Sequence, residues 1–164
     1  LRHFRRGEYF IHSGSVMREV GWIVKGAFKH SLIDESGNTK AVGFVFEEAV
    51  LANYISAMLG RTMPTDIIAL EESDVYIVPV NLMRERLLYD PTLNISFIQA
   101  LFEQAYGHIL NDYRLGPEQR YIQLKNRFPR IFDLVSLGEI ASYLNISRRQ
   151  LYRIRDSVEA KIDE

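Results

Sequence analysis

The 164 residues (19.0 kDa) are 47% apolar and 25% charged, enough to bury a core and too apolar for a disordered tail or a linker. With no cysteine in the chain, disulfides, thiolate zinc sites, cysteine-bound iron–sulfur clusters and cysteine nucleophiles are excluded; no apolar run reaches the ~18 residues of a membrane span and no secretory leader opens the chain, so no membrane is expected and the cytoplasm is the expected location. The net charge of −1 divides unevenly: −1 over residues 1–89, −3 over 90–113 and +3 over 114–164, with four arginines and no acid in 145–155.

Residues 1–80 read as short strands punctuated by Gly7, Gly14, Gly21, Gly26 and Gly37, the spacing of an antiparallel sandwich or barrel. The clearest hairpin joins 28–33 to 40–46 through Asp34-Glu35-Ser36-Gly37-Asn38, whose glycine and asparagine tolerate the positive φ of a tight loop. Two further strands, 67–70 and 75–78, flank the polar turn Glu71-Glu72-Ser73-Asp74. Pro79 and Asn81 then end the sheet, with Asn81 expected to cap a short helix reaching Leu88.

Asp90-Pro91 is a helix start, a carboxylate at the cap position and a proline where a missing N–H costs nothing. Helical spacing then runs to about Leu115, a rod roughly 36 Å long. Ile95, Ile98, Phe102, Ala105 and Ile109 recur at alternating steps of three and four, the seam of two helices lying side by side. Phe97, Leu101, Tyr106, Leu110 and Tyr113 widen the apolar surface, so a second copy of the chain is expected to cover part of it.

Gly116-Pro117 restarts a helix that ends before Pro129, with Tyr121, Leu124 and Phe128 as its buried stripe. From Ser136 onward come two capping boxes, Ser136-x-x-Glu139 and Ser147-x-x-Gln150, which predict two helices joined by a very short turn. Ile140, Ala141 and Leu144 face inward on the first helix, Asn145 suits a left-handed turn position, and Ile146, Leu151 and Ile154 complete the buried set. This is a helix-turn-helix pattern. On the second helix, placing Arg148 at 0° puts Arg149, Tyr152, Arg153 and Asp156 between 0° and about 140°, and Leu151, Ile154 and Val158 between about 240° and 300°. One side is core and the other an arginine-rich face suited to guanine O6 and N7 or to phosphate oxygens. Ser147, Arg148, Arg149, Tyr152 and Arg153 are the expected DNA contacts; Arg120, Lys125, Arg127 and Arg130 are expected to reach phosphates.

Together with the glycine-punctuated roll and the long helix, the stretches Glu118-Gln119-Arg120-Tyr121 to Phe128-Pro129 and Leu137 to Arg155 resemble the Crp/Fnr family of bacterial transcription regulators. The resemblance implies an α+β chain: an N-terminal double-stranded β-helix (jelly-roll) domain of cyclic-nucleotide-binding type over 1–89, a dimerisation helix over 90–115 and a helix-turn-helix DNA-binding domain over 116–164. It implies a homodimer on double-stranded DNA, with RNA polymerase as a further candidate partner. The family pattern Ser-Arg-x-x-(apolar)-x-Arg falls on Ser147, Arg148, Leu151 and Arg153, while Arg149 stands where the family often has glutamate. Only six residues follow Val158, fewer than the family's two-stranded wing needs.

The family's nucleotide site takes a glutamate on the ribose and an arginine on the cyclic phosphate. Its counterparts here are Glu47, Glu48 and Ala49, without the preceding glycine, and Met63 and Pro64 in place of arginine and serine, with Arg61 two residues away. A thioether cannot replace a bidentate phosphate partner, so tight binding of cAMP is not expected and no cofactor is assigned. The four histidines are scattered, with no metal-ligand spacing, and adjacent Glu47 and Glu48 on a strand would face opposite ways, so neither a metal site nor an enzyme is expected. The rival reading is an effector-sensing roll whose helical part binds a protein rather than DNA.

Overall fold

The structure, a computed structural model, describes residues 1–161; the last three positions of the expected 116–164 domain lie outside the described residues. The chain forms two compact units, Leu1–Pro91 and a second that begins at Thr92. In the first, eight antiparallel strands make two four-stranded sheets: β1 (Arg2–Phe4), β8 (Ser73–Pro79), β3 (Glu19–Lys25) and β6 (Val50–Leu51) in that spatial order, and β2 (Tyr9–Ile11), β7 (Asp66–Ala69), β4 (Phe28–Ile33) and β5 (Thr39–Val45) in the other. The turn spacing suggested an antiparallel sandwich or barrel, and the arrangement is the jelly-roll that the family resemblance implied.

One hydrophobic cluster joins the two sheets, with Phe4, Ile23, Leu51 and Val75 from the first and Phe28, Ile67 and Ala69 from the second. Period-2 alternation explains the selection: Ile23 and Val75 pair directly and are fully buried, whereas their neighbours Trp22 and Tyr76 pair on the outer face. Phe4, Phe10 and Phe28 meet tilted or edge-on, with ring centroids 5.6 to 6.5 Å apart. Gly26 closes the turn from β3 to β4 at φ 102°, where an added Cβ would sit 2.8 Å from the Cα of Ser73. The β4–β5 hairpin is tied by the Asp34 carboxylate, which accepts the N–H groups of Ser36 and Asn38 at 3.0 and 2.8 Å and is thereby held below its ordinary carboxylate range, Asn38 first.

Among the short elements that go beyond the sequence reading are β6 and α1 (Tyr54–Leu59), whose cap Asn53 accepts the Ser56 N–H at 2.9 Å. A correction concerns the next helix. α2 (Val80–Tyr89) starts one residue before Asn81, without a side-chain cap, because β8 runs straight into it and the Val80 N–H is satisfied by the Arg18 carbonyl at 2.9 Å.

α3 (Pro91–Arg114) has proline as its first residue, as the start signal required, and none of its 24 residues is buried. α4 (Pro117–Arg127) returns beside it, joined by an Arg120–Asp112 ion pair at 2.9 Å and an Asn111–Gln123 contact at 3.5 Å. α5 (Ile131–Leu134), α6 (Leu137–Tyr143) and α7 (Arg148–Ala160) complete the unit. Tyr121, Leu124, Ile131, Ile140, Leu151 and Ile154 form its interior, while Phe128 and Ile146 are only half-buried. No helix among the described residues is long and apolar enough to cross a membrane.

Candidate nucleic-acid interface

The α6–α7 corner is fixed by local chemistry. Both capping boxes are closed: Ser136 Oγ accepts the Glu139 N–H and Ser147 Oγ the Gln150 N–H, each at 3.2 Å, while Glu139 and Gln150 accept the Ser136 and Ser147 N–H groups in return at 3.0 Å. Between them Asn145 adopts φ 52°, and the Ile146 N–H bonds to the Ala141 carbonyl at 3.0 Å, so the chain reverses without a glycine. Ala141 on α6 is small and buried, and α6 packs against α7.

α7 divides as its angles foretold. Leu151, Ile154 and Val158 are buried; Arg148, Arg149 and Arg153 are exposed, and among the described residues none of these three makes an ion pair or a hydrogen bond. Tyr152 is 47% exposed, with the Arg155 guanidinium 5.2 Å from its ring centre. Ser147 belongs to the set by position, but its hydroxyl is engaged in the cap. The fourth arginine of the cluster, Arg155, is half-buried and bound to Asp156 at 3.1 Å, which raises its pKa first through that hydrogen bond. Among the described residues, the cluster thus has three guanidinium groups without an ion pair or hydrogen bond and one paired with Asp156.

The phosphate contacts expected from Arg120, Lys125, Arg127 and Arg130 fare differently. Arg120 has only 15% of its side chain exposed and pairs with Asp112, and its buried Nε has no hydrogen-bond partner among the described residues. That corrects its reading as a surface cation, since the geometry spends it on holding α4 to α3. Arg127 lies over the Phe128 ring at 5.0 Å and approaches His108 Nε2 at 3.5 Å; Lys125 is half-buried and Arg130 exposed.

The six residues expected at an effector pocket do not share one environment. Glu47 and Glu48 lie in the turn between β5 and β6 rather than on a strand, a correction whose cause is Glu48 at φ 63°. The Glu47 carboxylate accepts the Gly26 N–H at 3.1 Å, and the Glu48 N–H bonds to the Ile23 carbonyl at 3.0 Å. Ala49 is half-buried, Arg61 and Pro64 are exposed, and Met63 is 2% exposed within the hydrophobic core, where its thioether packs instead of lining an open cavity. Nearby in the roll, His30 Nδ1 lies 3.2 Å from Thr65 Oγ1 on a largely buried ring, and that burial pushes its pKa below the ordinary 6.5. No group of three metal-ligating side chains comes together among the described residues.

A family model described as the cyclic nucleotide-binding domain matches residues 1–89, the roll and α2. The chain belongs to the cyclic nucleotide-binding domain family. Three solved structures share the fold beyond that domain. A regulatory protein of Silicibacter pomeroyi DSS-3, for which cAMP is the suggested ligand, is 17% identical, with TM-score 0.69 over 97% of this chain and 75% of its own. FixK2 of Bradyrhizobium japonicum is 15% identical, with TM-score 0.69 over 98% of this chain and 84% of its own. CLP of Xanthomonas campestris, a c-di-GMP-responsive global regulator, is 12% identical, with TM-score 0.63 over 98% and 86%. No curated protein matches the chain. The cyclic nucleotide-binding domain is therefore followed here by the helical arrangement of the Crp/Fnr-type fold.

Two features of the helical part escaped the sequence. One is Gly138, which lies under the Arg148 guanidinium and reads in sequence only as a poor helix residue. The other is the loss of Arg155 to Asp156, for which the adjacent acid was the available signal.

Proposed function

We propose that this chain is a sequence-specific, DNA-binding transcription regulator of Crp/Fnr type that works as a homodimer in the cytoplasm. Residues 1–89 serve as the sensory roll, 90–115 as the dimerisation helix and 116–164 as the DNA-binding domain. The observation that carries the reading is the division of α7, with Arg148, Arg149 and Arg153 exposed, and unpaired among the described residues, opposite a fully buried Leu151. Recognition helices present such groups from their first turns to the major groove. Dimerisation is supported by α3, where Ile95, Ile98, Phe102, Ala105 and Ile109 all stand exposed in one seam. A symmetric pair would place two recognition helices on a two-fold operator and present the regulator to RNA polymerase.

The arrangement of the roll argues against cAMP bound in the standard way. Met63 is in the core and Glu47 is engaged with the Gly26 amide, while Arg61 is exposed. CLP, on the same fold, responds to c-di-GMP. The deciding experiment selects duplexes from a random pool and measures affinity against salt. A preferred two-fold sequence bound with log K falling steeply as log salt rises is expected. Absence of any selected sequence, with equally weak binding to all duplexes, refutes the reading and favours a protein partner for the helical part.

A further inference from the structure

On the reading that α6 and α7 bind DNA, we infer that Gly138 is a positioning residue for Arg148. It leaves a space over the first turn of α6 in which the Arg148 guanidinium is seated before DNA arrives.

Gly138 is the second residue of α6, after the cap Ser136 and Leu137. Its φ lies outside the left-handed region, so the backbone does not require glycine there, and glycine is a poor helix former. What remains is space. A Cβ added at 138 would lie 2.7 Å from Nη2, 2.9 Å from Nε and 3.0 Å from Cζ of Arg148. These three nearest atoms are all in one guanidinium group, at or inside the limit of contact. They are also the far end of a flexible side chain, so alanine would displace the head of Arg148 and leave the helix in place.

The seat leaves the guanidinium chemically available. Arg148 makes no ion pair or hydrogen bond among the described residues, and the neighbouring Glu139 carboxylate accepts from the Ser136 N–H and hydroxyl at 3.0 and 2.9 Å in the capping box. A head already packed across α6 has fewer rotamers to lose on binding, and its planar fork faces one direction. Its ligand is a paired oxygen or nitrogen acceptor of the duplex, either the O6/N7 edge of guanine or a phosphate.

The test uses the full chain as parent, Gly138→Ala, Arg148→Ala and the double variant, with affinity measured by fluorescence anisotropy on the selected operator and on an unrelated duplex. Side-chain Nε–Hε signals of the arginines are followed in the free protein. Gly138→Ala is expected to melt at or above the parent temperature, to lose about threefold or more in affinity, and to add no loss once Arg148 is alanine. Loss on the operator alone assigns the head to a base edge; loss on both duplexes assigns it to phosphate. Equal weakening with and without Arg148, or an unweakened Gly138→Ala, overturns the seat while leaving the DNA reading standing. An Arg148 Nε–Hε group as mobile in the free parent as that of Arg149 also overturns it. A parent that selects no duplex refutes the DNA reading and this role with it, and an ordered Nε–Hε signal then shows that the packing survives without the function.

Discussion

α3 and α7 are both amphipathic helices, yet the chain treats them in opposite ways. α7 buries Leu151, Ile154 and Val158 under its own neighbours and exposes guanidinium groups; α3 exposes Phe102 at 65% and buries none of its residues. A helix whose apolar side is covered within the chain presents polar chemistry to a ligand. One whose apolar side is uncovered presents hydrophobic area, and its stable partner is another apolar surface. The two faces therefore differ in what they can meet, an acceptor-rich or anionic surface at α7 and an apolar one at α3.

The comparison can be broken at either helix. The largest effect is expected from Leu151→Ala, which empties a fully buried position on α7 and should cost about 3 kcal/mol in urea unfolding of the helical unit. If that unit unfolds at the parent midpoint, α7 is not held by its apolar side. Next, Phe102→Glu should raise the dimer dissociation constant by about a hundredfold in sedimentation equilibrium, with no loss in monomer stability because the residue is already exposed. An unchanged association constant removes α3 from the interface. Arg153→Ala should weaken operator binding by about 1–3 kcal/mol and relax preference at one base pair, with an unchanged melting temperature. Replacing Ser147 with alanine tests the cap apart from the face and should cost roughly 1 kcal/mol of stability.

The smallest effect sharpens the comparison from the roll. His30 is held neutral by burial, so its folded pKa lies below 6.5 while the unfolded chain titrates near that value. As pH falls below 6.5 the unfolded state takes up the proton first, and stability is lost down to the folded pKa; above 6.5 the contribution is fully present. Urea midpoints between pH 7.5 and 5.5 should show this decline in the parent and a shallower one in His30→Leu. Parallel declines in the two proteins exclude His30 as the cause.

Much of this was legible because it is local. Capping boxes, the Asp34 to Asn38 loop, proline at the start of α3 and the 3.6-residue periodicity of α7 depend on residues within a few positions of one another, and each appears in the structure as read. Asn145 is the sharpest case, since its left-handed φ followed from the shortness of the turn alone. Misplaced assignments arose where a strand ran directly into a helix, as at Val80, and where a family pattern was laid on Glu47 and Glu48 without knowing that a turn occupied them.

The amino-acid order by itself determined most of the secondary elements, the apolar side of α7 and the antiparallel, glycine-punctuated character of the N-terminal half, because short-range sterics and hydrogen bonding decide them. Only the folded chain decided which charges are free. Arg120 is bound to Asp112 across two helices, Glu47 to the amide of Gly26 twenty-one residues away, and Met63 is drawn into a core shared by both sheets. These are contacts between distant segments, and burial, which sets both the availability of a charge and the fate of an apolar side chain, exists only once those segments meet.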